Sequence, residues 1–403
     1  MVDVAAHSKP VLPAEADDAP AAPFLLWPSL PEELLQRAFL HLDSRSLARA
    51  EAACRGWRRA ASADFLWRDR CAAWSWLTRR KPSGATWKRQ ERALSGAPRF
   101  VVVGGAYSAR GRAFSAATGA WADVPAMATE RNGAALLYDV EGASLCAVGG
   151  RSSGPYGYPL ASVERLACDG GGGGGGGGAW AAAPPMATAR CCLGAAFDDA
   201  GRLLVAGGAE SMYKHAAVHA SAEVYAPGAD AWAPLPPLGA ARCAHSLALS
   251  AAGTAYAVGG YGGGLTYLAS VECLDVAAPE RGWRAVASLN QPRAGACAAF
   301  GPDHCLYVIG GGGNGHDADS TCVKWDSRAN QWLPIAPMHA RRHYFAAAFA
   351  PDGQLYAAGG FEWSGQLTTA EVYDARADRW RPLPDLVDGG AVIEFCAGAA
   401  VWA

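Results

Sequence analysis

Lysine is scarce in this 403-residue chain: Lys9, Lys81, Lys88, Lys214 and Lys324 are the full set, so 30 of the 35 basic residues are arginine. A genome that favours Arg, Ala, Gly and Pro codons accounts for that bias. Charge is also sparse and balanced, at 18% charged residues and a formal net charge of −2. The balance argues against a dedicated nucleic-acid binder, and the composition is not that of a mostly disordered chain. Long apolar runs are missing. None approaches the roughly 20 residues that cross a bilayer, so no membrane span is expected. Met1 to Pro23 lacks the basic start and apolar core of a signal peptide and carries Asp3, Glu15, Asp17 and Asp18. Residues 1–27 therefore read as a disordered leader. The 12 cysteines show no CxxC pair and no metal-ligand spacing. Without a secretion signal they read as reduced thiols of a cytoplasmic or nuclear protein.

Glycine and tryptophan, by contrast, are plentiful, at 49 and 15 residues. Collagen would place Gly at every third position, and this chain has no such period. The glycines instead form pairs after apolar runs: Gly104-Gly105, Gly149-Gly150, Gly207-Gly208, Gly259-Gly260, Gly310-Gly311 and Gly359-Gly360. A Trp follows each pair: Trp121, Trp180, Trp232, Trp283, Trp332 and Trp380. In four copies an aromatic stands seven residues earlier, as Phe114, Tyr225, Trp325 and Tyr373. Next come Met127/Arg131, Met186/Arg190, Leu238/Arg242, Leu289/Arg293 and Met338/Arg342, each followed by small apolar residues.

Such a unit holds about four short apolar segments separated by Gly, Pro or Asp, the pattern of a four-stranded antiparallel sheet. One sheet cannot bury both faces alone, but sheets packed radially can. Crowding near the axis predicts Ala, Gly and Cys in the segment after each Arg. The Trp and Tyr rings are expected between blades, where each buries ~150–250 Å². Six Gly pairs and six Trp predict six blades. The first copy lacks its axial segment and the last has a spare one, from Ala391 to Trp402, so the C-terminal strand is expected to complete the first blade.

Double Gly, Tyr and Trp at a period near 50 residues resemble the kelch repeat over residues 99–403. The resemblance implies a mainly β fold with a six-bladed kelch-type β-propeller. The run Gly170–Gly178 falls between the third and fourth strands of the second copy. No GK[ST] accompanies it, so it reads as a loop expansion rather than a phosphate cradle.

Residues 28–75 follow a helical pattern. Ser29 and Glu32 form a capping box, and Leu34, Leu35, Ala38, Phe39 and Leu42 recur at helical spacing. Asp43 and Asp64 can cap two further helices. The run Leu30-Pro31-Glu32-Glu33-Leu34-Leu35, with Leu47, Cys54-Arg55-Gly56-Trp57-Arg58 and Leu66-Trp67-Arg68, resembles an F-box. That resemblance implies a small all-α domain docking on the Skp adaptor of a Skp–cullin–F-box ubiquitin ligase through Leu30, Pro31, Leu34, Leu35 and Leu47. Those side chains equally serve to hold three helices together. Ala38 and Ala53 stand where the family prefers Ile or Val, trimming contact by ~1 kcal/mol each. Residues 76–98 are basic and read either as a solvated linker or as a nuclear-import or nucleic-acid patch.

In propellers, ligands meet the loops at one channel mouth. The loops after the Gly pairs carry Tyr107, Arg110, Arg151, Tyr156, Tyr158, Glu210, Tyr213, Tyr261, Tyr267 and Trp363, residue types typical of binding hot spots. Arg131, Arg190, Arg242, Arg293 and Arg342 come toward the same mouth. Two readings stay open for them. By resemblance to kelch adaptors they grip acidic or phosphorylated segments of a target protein; alternatively each ties backbone carbonyls together within its repeat. Glu164, Glu223, Glu272 and Glu371 also recur, and their regularity favours a structural role.

His215 and His219, with His245 and His343 near repeat arginines, form no recognisable metal motif, and no nucleophile elbow or H-E-x-x-H occurs. Kelch-like propellers include copper oxidases and sugar epimerases, so a catalytic propeller remains an alternative by resemblance. The main expectation is a non-catalytic substrate receptor of a ubiquitin ligase, with no cofactor, the Skp adaptor and cullin as partners, and an unidentified target. A kelch scaffold with a degenerate F-box is the second expectation.

Overall fold

Short strands separated by tight turns account for almost the whole of the described chain. A computed structural model describes residues 98–402 except 105–107, 140–141, 143, 154–156, 169–177, 212–215, 265, 314–316, 328, 351–352 and 387–396. The residues read as leader, F-box and most of the basic linker lie outside that range.

Six four-stranded antiparallel sheets form six blades. From axis to rim, blade 2 runs Ala135–Asp139, Ser144–Val148, Val163–Ala167 and Ala181–Ala183. Blade 3 runs Gly194–Phe197, Leu203–Ala206, Ala222–Tyr225 and Ala233–Leu235. Blade 4 runs Ser246–Leu249, Thr254–Val258, Val271–Asp275 and Arg284–Val286. Blade 5 runs Cys297–Phe300, Leu306–Ile309, Cys322–Asp326 and Gln331–Ile335. Blade 6 runs Ala346–Phe349, Gln354–Ala358, Ala370–Asp374 and Arg379–Leu383. Blade 1 is made from both ends of this range: Ala397–Trp402 is innermost and pairs with Pro98–Val103, followed by Gly111–Ser115 and Ala120–Val124. The innermost strands touch their neighbours in turn around the axis, and Ala397–Trp402 lies between those of blades 6 and 2.

The residues explain the arrangement. Innermost strands read Gly-Ala-Ala-Phe, Cys-Ala-Ala-Phe and Ala-Ala-Ala-Phe in blades 3, 5 and 6, small enough for crowding at the axis. Middle strands are apolar on both faces, as in Leu203–Ala206, because a neighbouring blade covers each side. Each seam between blades holds its own cluster; the one between blades 2 and 3 joins Val148 and Val163 to Leu193, Leu203 and Val205.

Each Trp then fastens its blade to the preceding one. The indole N–H groups of Trp121, Trp180, Trp232, Trp283, Trp332 and Trp380 donate to the carbonyls of Pro384, Pro125, Pro184, Pro236, Ala287 and Ala336, at 2.8–3.0 Å. Trp121 of blade 1 reaches back to Pro384 of blade 6, so the series closes. The seven-residue spacing of the aromatics is a cross-strand pair: Phe114, Trp325 and Tyr373 stand directly opposite Trp121, Trp332 and Trp380.

Candidate functional site

The second strand of each blade ends in the Gly pair, and the pair turns the chain onto the mouth. Gly207 has φ 64°, and a Cβ there would stand 2.3 Å from the Arg242 carbonyl oxygen, so a side chain is excluded twice over. Gly208 N–H donates to that same carbonyl, and Arg242 N–H donates to the His219 carbonyl in the loop of blade 3. The backbone of Arg242 is thus held by one blade while its side chain enters the next.

The five repeat arginines are all buried, at 0–3% exposure. Arg131 Nη1 donates to the carbonyls of Gly149 and Ser162, and Nη2 donates to Ser162 Oγ and Glu164 Oε1. Arg190 repeats this with Gly207, Ser221 and Glu223, and Arg242 with Gly259, Ser270 and Glu272. Arg342 does so with Gly359 and Thr369, and reaches Glu371 through Nε rather than Nη2. Each Glu also accepts two backbone N–H groups, as Glu223 does from Ala187 and Thr188. The recurrent Arg and Glu are therefore two halves of one buried pair. Burial raises the Glu164 carboxyl, but the hydrogen bonds from Arg131 and Thr129 outweigh it and hold the group below its ordinary value.

Blade 5 departs from the pattern. Val323 occupies the position of the Glu, so Arg293 donates to Gly310, Thr321 and Thr321 Oγ1, with the Asp319 carboxylate 3.8 Å away. In blade 1 the corresponding place is taken by Arg112, whose Nη1 donates to the Leu386 carbonyl. The geometry of the five arginines matches the reading in which each ties backbone carbonyls together within the repeat. Their donors face the protein interior.

Two residues beyond each arginine lies a ring that the sequence did not disclose. Gly133, Cys192, Ala244, Gly295 and Tyr344 all have positive φ, from 50° to 65°. They are linked blade to blade: Cys192 N–H donates to the Gly133 carbonyl, Ala244 to Cys192, Gly295 to Ala244 and Tyr344 to Gly295. They line the upper part of an axial cavity of about 210 Å³. Left-handed backbone is unfavourable for residues with a Cβ, and strongly so for a bulky one such as Tyr344. Glycine at two of the five positions is the signal that could have pointed there.

Outside this ring, the loops after the Gly pairs are bridged to the residue following each arginine, as in Cys191–Ala209–Val218 and Cys243–Tyr261–Tyr267. Tyr261 is half-buried, its ring 5.3 Å from that of Tyr267. Trp363 is 79% exposed at the tip of the hairpin Phe361–Glu362 with Gly365–Gln366, and Tyr158 is 66% exposed. Arg110 and Glu210 are exposed, whereas Arg151 is buried and donates from Nε to the Gly157 carbonyl. Tyr107, Tyr156 and Tyr213 lie outside the described residues, as do Leu30, Pro31, Leu34, Leu35 and Leu47.

His245 is buried in the seam between blades 3 and 4. A Cβ at Gly194 would stand 2.5 Å from its Nε2, and one at Gly207 would stand 2.6 Å from its Cε1. Neither ring nitrogen has a hydrogen-bond partner. Burial, with Arg242 and Arg190 nearby, pushes its pKa down to about 3. Among the described residues, no three His, Cys, Asp or Glu side chains are placed to hold a metal ion. No described helix is long and apolar enough to cross a membrane.

Comparison with known proteins identifies two regions. Residues 27–73 match the F-box-like family, and residues 292–339 and 342–387 match the kelch motif, covering blades 5 and 6. No curated protein matches the chain. A solved structure titled "Structure of YjhT" is similar over 72% of this chain and 97% of its own, with 12% identity and a TM-score of 0.57. At that identity the likeness concerns the fold.

Proposed function

From a chain with the architecture of an F-box/kelch-repeat protein, an F-box-like domain ahead of a six-bladed β-propeller, we propose a substrate-recognition subunit of a Skp–cullin–F-box ubiquitin ligase. F-box domains generally bind the Skp adaptor, and kelch propellers bind target proteins. The observation that carries the reading is the union of the two in one chain. The helical segment docks on the adaptor through Leu30, Pro31, Leu34, Leu35 and Leu47, and the propeller mouth holds the target. The receptor itself needs no catalytic residue. Tethering raises the local concentration of target lysines beside the ubiquitin-charged enzyme held elsewhere in the assembly.

Within the mouth, Trp363, Tyr261, Tyr107, Tyr156 and Tyr213 are the proposed contacts. Trp363 is the best placed, because a two-stranded hairpin fixes an exposed ring at little entropic cost. The five arginines contribute by holding the loops that carry these side chains.

Co-purification with a Skp adaptor tests the assignment. The full chain is expected to retain the adaptor, and Leu34→Ala combined with Pro31→Ala to lose it, with the thermal transition of the propeller unchanged. Equal recovery from both chains, or from neither, overturns the reading. Ala38 and Ala53 favour a second reading, a kelch interaction scaffold whose F-box no longer engages the adaptor; absence of recovery from the unaltered chain supports it.

A further inference from the structure

We propose that blade 5 holds a binding site for a small monovalent anion, chloride, at the place where Val323 stands instead of the repeat glutamate. The site is independent of what the mouth binds.

Four sister sites define the cradle. Glu164 accepts from the N–H groups of Ala128 and Thr129, Glu223 from Ala187 and Thr188, Glu272 from Gly239 and Ala240, and Glu371 from His339 and Ala340. Each also accepts from the arginine that follows those two residues. Two backbone donors and a guanidinium thus converge on one carboxylate.

Blade 5 keeps the donors and loses the acceptor. Leu289 N–H donates to the Ala269 carbonyl and Arg293 N–H to that of Leu268, as Leu238 and Arg242 do to Ala220 and His219, so both ends of the turn are held alike. Arg293 Nη1 donates to the Gly310 and Thr321 carbonyls at 2.7 and 2.9 Å, and Nη2 to Thr321 Oγ1 at 2.6 Å, so the guanidinium stands as its sisters do. Val323 pairs with Val308 and Pro334, just as Glu223 pairs with Val205 and Pro234, but it has no oxygen. Among the described residues, nothing accepts from the N–H groups of Asn290 and Gln291. Arg293 is 3% exposed, yet one Nη2 hydrogen is unused, the counterpart of the one that Arg131, Arg190 and Arg242 give to their glutamate. Its Nε is unpartnered too, as it is in Arg131 and Arg242.

The chemistry of the cradle selects the occupant. Donors without an acceptor suit an anion, and backbone N–H groups beside an arginine hold one well. A water would have to place its own two hydrogens against the Val323 methyl groups. The sister carboxylates are only 2–8% exposed, so the place is nearly closed. An acidic side chain of another protein does not reach it, whereas an ion with no chain attached does. One negative charge suffices. The Asp319 carboxylate, held by Gln291 Nε2 and Thr321 Oγ1, lies 3.8 Å from Arg293 Nη1; it offsets part of the arginine and repels a doubly charged phosphate or sulfate. With the ion in place, the link between blades 4 and 5 has the same charge pattern as the links that carry a glutamate.

Bromide substitutes for chloride and scatters anomalously. Crystals of the full chain soaked in sodium bromide are expected to show an anomalous peak within hydrogen-bonding reach of Arg293 and of the Asn290 and Gln291 N–H groups. In solution, urea denaturation of the full chain is followed as chloride replaces gluconate at constant ionic strength. The unfolding constant is expected to fall about tenfold when chloride reaches ten times its dissociation constant. Val323→Glu supplies a tethered carboxylate, so its urea midpoint should be higher and indifferent to chloride. The proposal is overturned by the absence of a bromide peak at Arg293, by a peak with no chloride effect on the wild-type midpoint (an adventitious ion only), or by a chloride effect that persists undiminished in Val323→Glu. If that variant does not fold, the bromide peak and the wild-type titration decide alone.

Discussion

His245 is a polar residue in a position built for apolar ones. Its counterparts, three residues after the repeat arginine, are Ala134, Leu193, Ala296 and Phe345. Buried between Gly194 and Gly207 with both nitrogens unpartnered, the imidazole avoids further cost by staying neutral. Its pKa falls to about 3 in the folded chain, against about 6.5 when unfolded. Between those values the unfolded state binds the extra proton, so stability falls as pH falls below about 6.5 and is fully present above it. From pH 7.5 to 5.5 the loss due to this residue amounts to about 1 kcal/mol. Urea denaturation at the two pH values should show a smaller difference for His245→Leu than for the wild type, by that amount. An equal difference in both chains would assign the pH dependence elsewhere.

A blade is held to its neighbour by three kinds of link: an apolar seam, an indole hydrogen bond and an arginine whose backbone belongs to one blade and whose guanidinium belongs to the next. The last is the strictest, because removing one member of a buried ion pair strands the other. Arg242→Met leaves the Glu272 carboxylate buried with only the Gly239 and Ala240 N–H groups, and should cost about 3 kcal/mol or more. Arg293→Met removes an arginine that has no such Glu, since Val323 stands there, and should cost less. Chemical denaturation of the two variants checks the order; comparable losses would show that the carboxylate is not what sets the cost. Here the limits of the sequence are visible. The Gly pair, the Trp and the aromatic seven residues before it are close in the chain and repeat faithfully, so strand number and blade boundaries could be read from them. Arg and Glu could also be seen to repeat, but they stand 29–33 residues apart and meet only after the Gly pair has turned the chain. Their partnership is therefore not legible in the sequence, which leaves both readings of the arginines open, contact with a target or a tie between backbone carbonyls. The left-handed ring was less legible still, because Cys192, Ala244 and Tyr344 are not residues that announce positive φ.

The ring of blades depends on two distant segments meeting. Pro98–Val103 pairs with Gly111–Ser115 on one side and with Ala397–Trp402 on the other, over six residue pairs from Pro98–Trp402 to Val103–Ala397. That closing strand also fills the place between the innermost strands of blades 6 and 2. Without it, blade 1 keeps three strands and presents the backbone of an apolar strand, with Phe100, Val101, Val102 and Val103 all buried in the closed ring, as an open edge. The other described links across the gap are an apolar seam, in which Phe100 and Phe114 pack on Tyr356, and two side-chain bonds, Trp121 to Pro384 and Arg112 to Leu386. Two hydrogen bonds, each worth about 1 kcal/mol net, cannot replace a six-residue strand and the apolar surface it covers. Deleting residues 391–403 should therefore lower the thermal transition by well over 5 °C and drive the chain into aggregates, as read by scanning calorimetry and light scattering. A synthetic peptide of residues 391–403, added in excess, should bind the open edge and recover part of the lost transition. A truncated chain that melts like the intact one, or one that the peptide leaves unchanged, would mean that blade 1 stands without its last strand and that closure rests on the apolar seams alone.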